Sequence, residues 1–359
     1  MIEIDGSYGS GGGQILRTAC ALSAVTKKPC HVFNIRKLRP KPGLAQQHLL
    51  GIQALAQLCH GKLEGDELGS EEINFSPGEI YQDRIPINIP TAGSITLVLQ
   101  ALIPPALSAP SPVKISFQGG ATDTFFSPTI DYFQHVFLKI LEKMLAPSNS
   151  EGICSGGGKL EINILKRGYY PAGGAKVEVT VYPSKLTPHQ NKIGGGLKSL
   201  NLTERGFLKK ILAISGASIF LKDKKVAERQ LAGVREVLGK LKLPTEEKVE
   251  YYSTQCPGSQ ICLVAEFVNT VIGTDNLGKL AKRAEDVGKE AAQELLKEQK
   301  SQGCLDKHLA DQILPYLALA PKKSQVTVSE ITNHCKTNIW VIEKFIDRKF
   351  KLKENLIIL

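Results

Sequence analysis

A run of glycines stands between a predicted strand and a predicted helix at the start of the chain. The strand covers Ile2–Ile4 and the helix covers Gln14–Val25. The residues that could bind a ligand through the backbone are Gly11, Gly12 and Gly13 before the helix and Gln14 at its start. Bare N–H groups at a helix N-terminus form a site for an anion such as phosphate. The spacing matches neither of the two common nucleotide-binding glycine motifs, so a tight structural turn is the alternative.

A basic loop follows the next predicted strand. Residues Arg36–Gly43 place four cations and two prolines in one short segment, which includes Arg36 and Arg39. The prolines restrict the loop, and each arginine offers a fork-shaped pair of donors that suits phosphate. Arg17, one helical turn beyond the glycines, points to the same region if the loop and the helix lie as predicted. A solvated basic loop without a ligand is the alternative.

Histidines near the end of the chain are candidates for nucleophilic or acid–base chemistry. His334 lies between a strand-like run and a helix that is predicted to begin near Asn338, with Thr337 close by. Histidine is the most common residue for such chemistry, but a lone histidine is usually structural. His308, Asp311 and Gln312 share one face of a predicted helix, and an exposed polar face is the alternative interpretation there.

Composition limits the class of protein. The 359 residues are 42% hydrophobic and 22% charged, which is typical of an ordinary globular chain and excludes a disordered or collagenous one. The net charge of +10 favours an acidic or phosphate-bearing partner. Prolines interrupt the long uncharged stretch 85–113, so we expect no membrane helix. The eight cysteines include no C-x-x-C pair, and the N-terminus resembles no signal peptide, so we expect reduced thiols and a cytoplasmic location.

The order of predicted elements repeats along the chain. Residues of about 1–80 give the order β-α-β-α-β-β, in which the second helix covers about Gln46–Cys59 and the last strand about Glu72–Phe75. Residues 81–184 give the same order again. A third unit is predicted over 261–359, beginning with the strand Ile261–Phe267 and the helix Leu277–Glu298. Residues 185–260 are too many for a connector and are predicted to form a small inserted α/β domain. The expected fold is therefore α/β, with three units in one larger body (1–184 and 261–359) that carries the insertion.

Five separated motifs together resemble one known family, the RNA 3′-terminal phosphate cyclases. The resemblance covers nearly the whole chain, although the inserted segment matches only loosely. The motifs stand in the family's order, and the residues that carry them are Ile4-Asp5-Gly6 with Gly11 to Arg17, Ile35 to Leu44 with Gln47-His48, Ala92-Gly93-Ser94 with Gln100, Arg167 to Gly174, and Ala310-Asp311-Gln312.

The resemblance implies a fold of repeated β-α-β-α-β-β units and an ATP-dependent reaction that needs a divalent metal, Mg or Mn. The family converts an RNA 3′-phosphate end to a 2′,3′-cyclic phosphodiester. Its nucleophile is a histidine that becomes adenylylated and precedes a Thr-Asn pair, which corresponds to His334 here. Asp311 would assist that histidine. No membrane partner is implied, and the oligomeric state stays open.

The resemblance also implies two binding pockets. The residues implied for ATP are Gln100, Pro128, Tyr132, His308, Leu309, Ala310, Asp311 and Gln312. The residues implied for the phosphate and the RNA end are Arg17, Arg36, Arg39, Gln47 and His48.

Two residues depart from the family pattern. The family usually has Glu where Ser10 stands, and that Glu helps to hold the metal, so the protein ligand for the metal is unknown. The family often has Tyr where His308 stands, and imidazole offers less area for stacking on adenine. A non-catalytic RNA-binding relative that acts in ribosome assembly is one alternative function, and an enolpyruvyl transferase is another. The histidine context disfavours both.

Overall fold

The computed structural model describes residues 1–145, 158–184, 196–239 and 243–359. Within these ranges the chain forms both helices and strands, and the strands make four sheets of four strands each. The α/β class predicted from the sequence is confirmed. Within the described ranges, no helix is both long and apolar enough to cross a membrane.

The first sheet contains the earliest strands of the chain and is covered by two helices. Its strand order is β1-β2-β4-β3, with β1 and β2 parallel and the other pairs antiparallel. Helix α2 has the bounds that the sequence predicted, and β4 begins one residue later than predicted. In chain order the elements are β1 (Ile2–Asp5), α1 (Gly13–Thr26), β2 (Cys30–Phe33), α2 (Gln46–Cys59), β3 (Lys62–Glu64) and β4 (Ile73–Ser76).

The second sheet repeats this pairing. Its order is β5-β6-β8-β7, again with one parallel pair followed by two antiparallel pairs. Side chains on β8 alternate between exposed and buried positions, as a strand covered on one face requires. In chain order the elements are β5 (Arg84–Ser94), α3 (Ile95–Ala106), β6 (Val113–Ala121), α4 (Ile130–Tyr132), a π-helical turn (Phe133–Phe137), α5 (Leu138–Met144), β7 (Lys159–Lys166) and β8 (Lys176–Tyr182).

The third sheet has a different order, β11-β10-β12-β13, and its own apolar core. Two helices pack together on this sheet, and their apolar side chains, such as Val234 and Ala291, share that core with Ile211 and Leu263. A short strand, β9 (Asn201–Leu202), comes first in the chain and belongs to the fourth sheet. The elements that follow it are β10 (Leu208–Ser218), α6 (Val226–Leu238), β11 (Thr245–Tyr252), β12 (Ser259–Phe267), β13 (Val271–Leu277) and α7 (Ala284–Lys300).

The fourth sheet returns to the strand order of the first two. Starting from β9, its order is β9-β14-β16-β15, with β9 parallel to β14 and the other pairs antiparallel. In chain order its remaining elements are α8 (Lys307–Leu319), β14 (Gln325–Thr327), α9 (Asn333–Phe345), β15 (Lys351–Lys353) and β16 (Leu356–Ile358).

Strand pairing corrects the sequence assignment of residues 261–300. That segment was predicted to open the third unit, but β12 pairs with both β10 and β13 and so belongs to the third sheet. The predicted helix Leu277–Glu298 begins at Ala284 instead, because Val271–Leu277 pairs as a strand. Conversely, β9 falls inside the predicted insertion and yet pairs with β14. The start of the predicted insertion, residues 185–195, lies outside the described residues, and the independent folding of the 185–260 domain stays a prediction.

A buried charge network joins the second and third sheets. Arg167, at the start of one of the sequence motifs, donates Nη1 to Asp131 Oδ2 at 2.8 Å and to Asp123 Oδ2 at 3.2 Å. Gln260 on β12 donates Nε2 to the same Asp131 oxygen at 3.1 Å. The ring of Tyr252 lies 4.5 Å from the Arg167 guanidinium carbon. A buried charge that lost these partners would be costly, so this motif fixes the two sheets against each other.

Candidate active site

The glycine run forms the N-terminus of α1 and is closely packed on both sides. Gly12 precedes the helix and provides no side-chain cap, so the first N–H groups stay available to a ligand. A Cβ on Gly13 would lie 2.0 Å from His48 Nε2. Gly9 has a φ of +55°, and a Cβ there would lie 2.3 Å from Thr337 Oγ1. Only glycine at these two positions lets α2 and α9 approach the loop this closely.

Helix α9 carries His334 in its first turn. The sequence predicted a helix from near Asn338, but α9 begins at Asn333, because Thr332 caps it by accepting a hydrogen bond from Cys335 N at 3.2 Å. The His334 side chain is exposed on one side. Thr337, one turn further, accepts from Ser10 N at 3.1 Å and so fixes the glycine loop to the helix.

Gln14 connects His334 to Asp311. Its Nε2 donates to Asp311 Oδ2 at 2.6 Å, and its Oε1 lies 2.8 Å from His334 Nδ1. An amide oxygen can only accept, so His334 Nδ1 carries the proton in this arrangement. The lone pair of His334 therefore sits on Nε2, the nitrogen that Gln14 leaves free. An imidazole held in this tautomer can act as a nucleophile.

Burial shifts the pKa values of the two ends of this chain of hydrogen bonds in opposite directions. The pKa of His334 is lowered by burial first and then by the charges of Arg39, Arg17 and His308, which keeps the imidazole neutral at pH 7. Burial raises the pKa of Asp311 to about 7, although His308 and Arg17 oppose that shift. The carboxyl group of Asp311 thus changes charge near neutral pH.

A small cleft beside these groups is lined by polar side chains from α1, α3, α8 and α9. Burial lowers the pKa of Arg17 to about 10, which leaves the guanidinium charged at pH 7. The position of Asn338 is fixed, because it accepts from Thr18 Oγ1 at 2.6 Å and donates to the backbone oxygen of Asp311 at 2.7 Å. The predicted site residues in this cleft are Gln14, Arg17, Gln100, Asp311 and Gln312.

The basic loop and the start of α2 border the glycines on the other side. Arg39 is exposed, and its Nη2 lies 3.4 Å from the backbone oxygen of Ser10. Arg36 donates Nη1 to Gly43 O at 2.6 Å and thereby closes its own loop. Gln47 accepts from Ser94 N at 3.0 Å. His48 is buried, and burial lowers its pKa to about 3, helped by the nearby charges of Arg17 and Arg36.

The remaining residues predicted for ATP occupy the start of α8 and the core behind it. His308 is exposed, whereas the side chains of Leu309 and Ala310 are fully buried. Tyr132 is buried and donates its hydroxyl to Asp306 at 2.6 Å. Asp306 caps α8 by accepting from the N–H groups of His308 and Leu309. Tyr132 therefore fixes the beginning of α8. Pro128 is half-buried, and its backbone carbonyl accepts a hydrogen bond from a threonine hydroxyl.

A metal ion would find few protein ligands here. Across the part of the chain that the structure describes, no cluster of three or more His, Cys, Asp and Glu side chains could hold a metal. Ser10 Oγ is buried and has no hydrogen-bond partner among the described residues, so one neutral oxygen is available at the glycine loop. Mg²⁺ is often held mainly by substrate phosphates and water, and a single hydroxyl fits that kind of binding.

Two features of this site were missed by the sequence interpretation. Gln14 was predicted to act only through its backbone, at the end of the glycine run, and the bond of its side chain to His334 joins residues 320 positions apart, which no local spacing could indicate. Tyr8 stacks on Trp340 beside the glycine loop. A signal for the second was present, since an aromatic residue directly precedes the glycines and another lies in the predicted helix that follows the histidine.

Comparisons with known proteins show the family to which the chain belongs. The sequence model of the RNA 3′-terminal phosphate cyclase family matches residues 8–352. A relative named RNA 3′-terminal phosphate cyclase in Pyrococcus abyssi is 45% identical over 98% of this chain and 95% of its own length. Relatives of the same name are 44% identical in Pyrococcus furiosus (98% and 95%) and 41% identical in Methanosarcina mazei (99% and 97%). The chain therefore belongs to the RNA 3′-terminal phosphate cyclase family of enzymes.

Proposed function

We propose that the chain uses ATP to convert an RNA 3′-terminal phosphate to a 2′,3′-cyclic phosphodiester through an adenylylated His334. The observation that carries this proposal is the chain of hydrogen bonds from Asp311 through Gln14 to His334, which leaves Nε2 of a neutral imidazole free. The free backbone N–H groups at the N-terminus of α1 and the guanidinium of Arg17 supply positive potential near that imidazole.

In the first step His334 Nε2 attacks the α-phosphorus of ATP. A P–N bond forms, the bond from the α-phosphorus to the bridging oxygen breaks, and pyrophosphate leaves. Negative charge shifts onto the leaving group, so cations fixed in advance lower the barrier. Gln14 Oε1 accepts from Nδ1–H and stabilises the positive charge that develops on the imidazole.

In the second step an oxygen of the RNA 3′-phosphate attacks the same phosphorus and His334 leaves with its electron pair. The RNA end then carries a pyrophosphate bridge to adenosine. In the third step the oxygen of the neighbouring 2′-hydroxyl attacks the RNA phosphorus and its proton passes to solvent. The bond from that phosphorus to the bridging oxygen breaks, so the ring closes and AMP leaves with the electron pair. Exposed Arg39 and half-buried Arg36 are the cations that we assign to the RNA phosphate during these steps.

A divalent metal, Mg or Mn, would be brought by the triphosphate and would neutralise charge on its oxygens. Ser10 Oγ is the protein atom that we propose as its ligand. We also propose a cytoplasmic location. Its support is that the described cysteines are all free and nearly all buried, which suits a reducing compartment.

The direct test is the conversion of a synthetic RNA. The chain is incubated with ATP, Mg²⁺ and an oligoribonucleotide that ends in a 3′-phosphate. The product should be lighter than the substrate by one water, and one AMP should be released for each end converted. If the RNA mass stays unchanged and no ATP is consumed, the proposed function is wrong.

A Gln14→Ala substitution is expected to slow self-adenylylation about a hundredfold, because the imidazole loses the acceptor that fixes its tautomer. In the wild type, the rate should fall as the pH drops through about 7, where Asp311 gains a proton and no longer holds the Gln14 amide in one orientation. In the variant this fall should move to lower pH, where the imidazole itself becomes charged. The measurement is the rate of covalent labelling by α-labelled ATP between pH 5 and 9.

The matched control is Gln53→Ala. Gln53 lies in the middle of a different helix, α2, and its Nε2 also donates to an aspartate, Asp66, at 2.9 Å. This control should keep both the rate and the pH profile of the wild type. A Gln14→Ala enzyme that labels at the wild-type rate with an unchanged profile would mean that Gln14 does not position His334.

Substitution of Arg39 by Ala is expected to reduce cyclisation more than self-adenylylation, since we assign this exposed cation to the RNA phosphate. Rising salt should weaken RNA binding in the wild type, because each phosphate contact releases counterions. The slope of the logarithm of the RNA-binding constant against the logarithm of the salt concentration should be smaller by about one in the variant. Arg36→Ala should behave similarly with a larger loss, because Arg36 also closes its loop. Equal losses in both steps would place these arginines on the triphosphate instead.

A further inference from the structure

We propose that Tyr8 and Trp340, together with Lys344, form a platform on which one unpaired base near the 3′ end of the RNA stacks. This inference rests on the proposed function, since it concerns how the same site holds its RNA. The two rings are stacked, with centroids 4.1 Å apart and planes inclined by 14°. Lys344 Nζ lies 5.3 Å from the centre of the Trp340 ring. Aromatic faces flanked by cations are the usual means of holding single strands without sequence preference.

The platform is open to solvent. Tyr8 is 45% exposed, although it is a large aromatic residue. Trp340 is partly exposed and packs against the edge of the main core, and Lys344 and Lys336 on the same helix are exposed. A base that stacked on this pair would cover apolar surface, and its phosphates would meet cations. The charge and the shape of the surface therefore fit an RNA strand.

The platform is held rigidly before any ligand arrives. Asp5 Oδ1 accepts from Ser7 N at 2.9 Å and from Asn34 Nδ2 at 3.2 Å, which fixes the turn that contains Tyr8. Gly11 N donates to Tyr8 O at 3.0 Å, and the next contact along the loop is the bond from Ser10 N to Thr337. A preformed stacking surface loses little conformational freedom on binding.

The platform and His334 are joined by the same two segments, because His334 contacts Gln14 and Trp340 contacts Tyr8. Trp340 follows His334 by six residues on α9, which is about 9 Å along the helix axis. Thr337 lies between them and accepts from the glycine loop. An RNA end whose terminal phosphate reaches Arg39 and His334 can therefore place one of its last bases on the aromatic pair. Single-stranded RNA ends are commonly recognised by such stacking.

The test uses the intrinsic fluorescence of Trp340, which is the single tryptophan of the chain. An eight-nucleotide RNA with a 3′-phosphate is titrated without ATP, and the fluorescence is expected to be quenched as a base stacks on the ring pair. Tyr8→Ala should weaken binding of this RNA about tenfold. Tyr8→Phe keeps the ring and should bind almost as tightly as the wild type. Tyr81→Ala is the matched control, because Tyr81 also forms an exposed stacked pair, with His60 at the far end of α2.

An abasic scan decides whether the ring meets a base. RNAs that lack one base at each of the last four positions are titrated against the wild type and Tyr8→Ala. At one position the missing base should weaken wild-type binding about tenfold and should cause no further loss in Tyr8→Ala, since the two changes remove the same contact. Additive losses at every position, or fluorescence that RNA leaves unchanged, would overturn the proposal and leave Tyr8 as a packing residue of its loop.

The outcome is independent of the catalytic proposal. RNA binding and Trp340 fluorescence are measured without ATP, so an enzyme that failed to adenylylate His334 would still report the stacking. Conversely, an enzyme that cyclised RNA normally but bound every abasic RNA equally well would reject the platform and keep the proposed function.

Discussion

His334→Ala is expected to abolish covalent labelling of the chain by α-labelled ATP. The substitution removes the nitrogen that forms the P–N bond, and the lost nucleophile leaves only the slow reaction of ATP with water. His334 is exposed and contributes to α9 only in its first turn, which Thr332 caps, so the folded structure should persist. The measurement is the mass of the intact chain after incubation with ATP and Mg²⁺, where the wild type should gain one AMP.

His308→Ala provides the comparison within the same site. His308 is exposed at the start of α8 and its charge acts on His334, but the Gln14 bond belongs to His334. The His308 variant should therefore still gain AMP, at a lower rate if the ring contacts adenine. Labelling that survives in His334→Ala and disappears in His308→Ala would exchange the roles of the two histidines.

The difference between what the sequence predicted and what the structure shows follows the range of the interactions. Helix α2 was predicted with its observed bounds, because its apolar residues recur with helical period and local pattern determines the element. Strand β13 was missed, because Val271–Leu277 contains Gly273, Asp275 and Asn276, which disfavour strands. It forms a strand because it pairs with β12, and the local sequence of this segment does not indicate that pairing.

The site follows the same rule. The glycine loop and the basic loop were identified because their chemistry is concentrated in short segments. The role of Gln14 could not be predicted, since its two partners, Asp311 and His334, are 297 and 320 residues away along the chain. The start of α9 was predicted too late because its first turn has little apolar character and depends on the Thr332 cap. Local patterns identified the groups, and only the fold shows how Gln14 joins them.

An RNA whose last ribose lacks its 2′-hydroxyl is expected to stall as an adenylylated end. The proposed order of steps transfers AMP from His334 to the 3′-phosphate before the ring closes, and the 2′-hydroxyl is the nucleophile held beside the activated phosphorus. Without it, the product should be an oligonucleotide heavier by one AMP less one water, whereas the normal end should lose one water. The measurement is the product mass for paired RNAs that differ only in that hydroxyl.

The exposure of the site to solvent adds a time course to this expectation. Arg39 and His334 are both exposed, so water reaches the activated phosphorus and should slowly return the stalled end to the 3′-phosphate. The adenylylated RNA should therefore appear early and decline as ATP is consumed, and Arg39→Ala should lower its peak by weakening the hold on the RNA phosphate. If the normal RNA cyclises while the deoxy end never carries AMP, even at saturating RNA, activation does not pass through the RNA phosphate and the proposed order of steps is wrong.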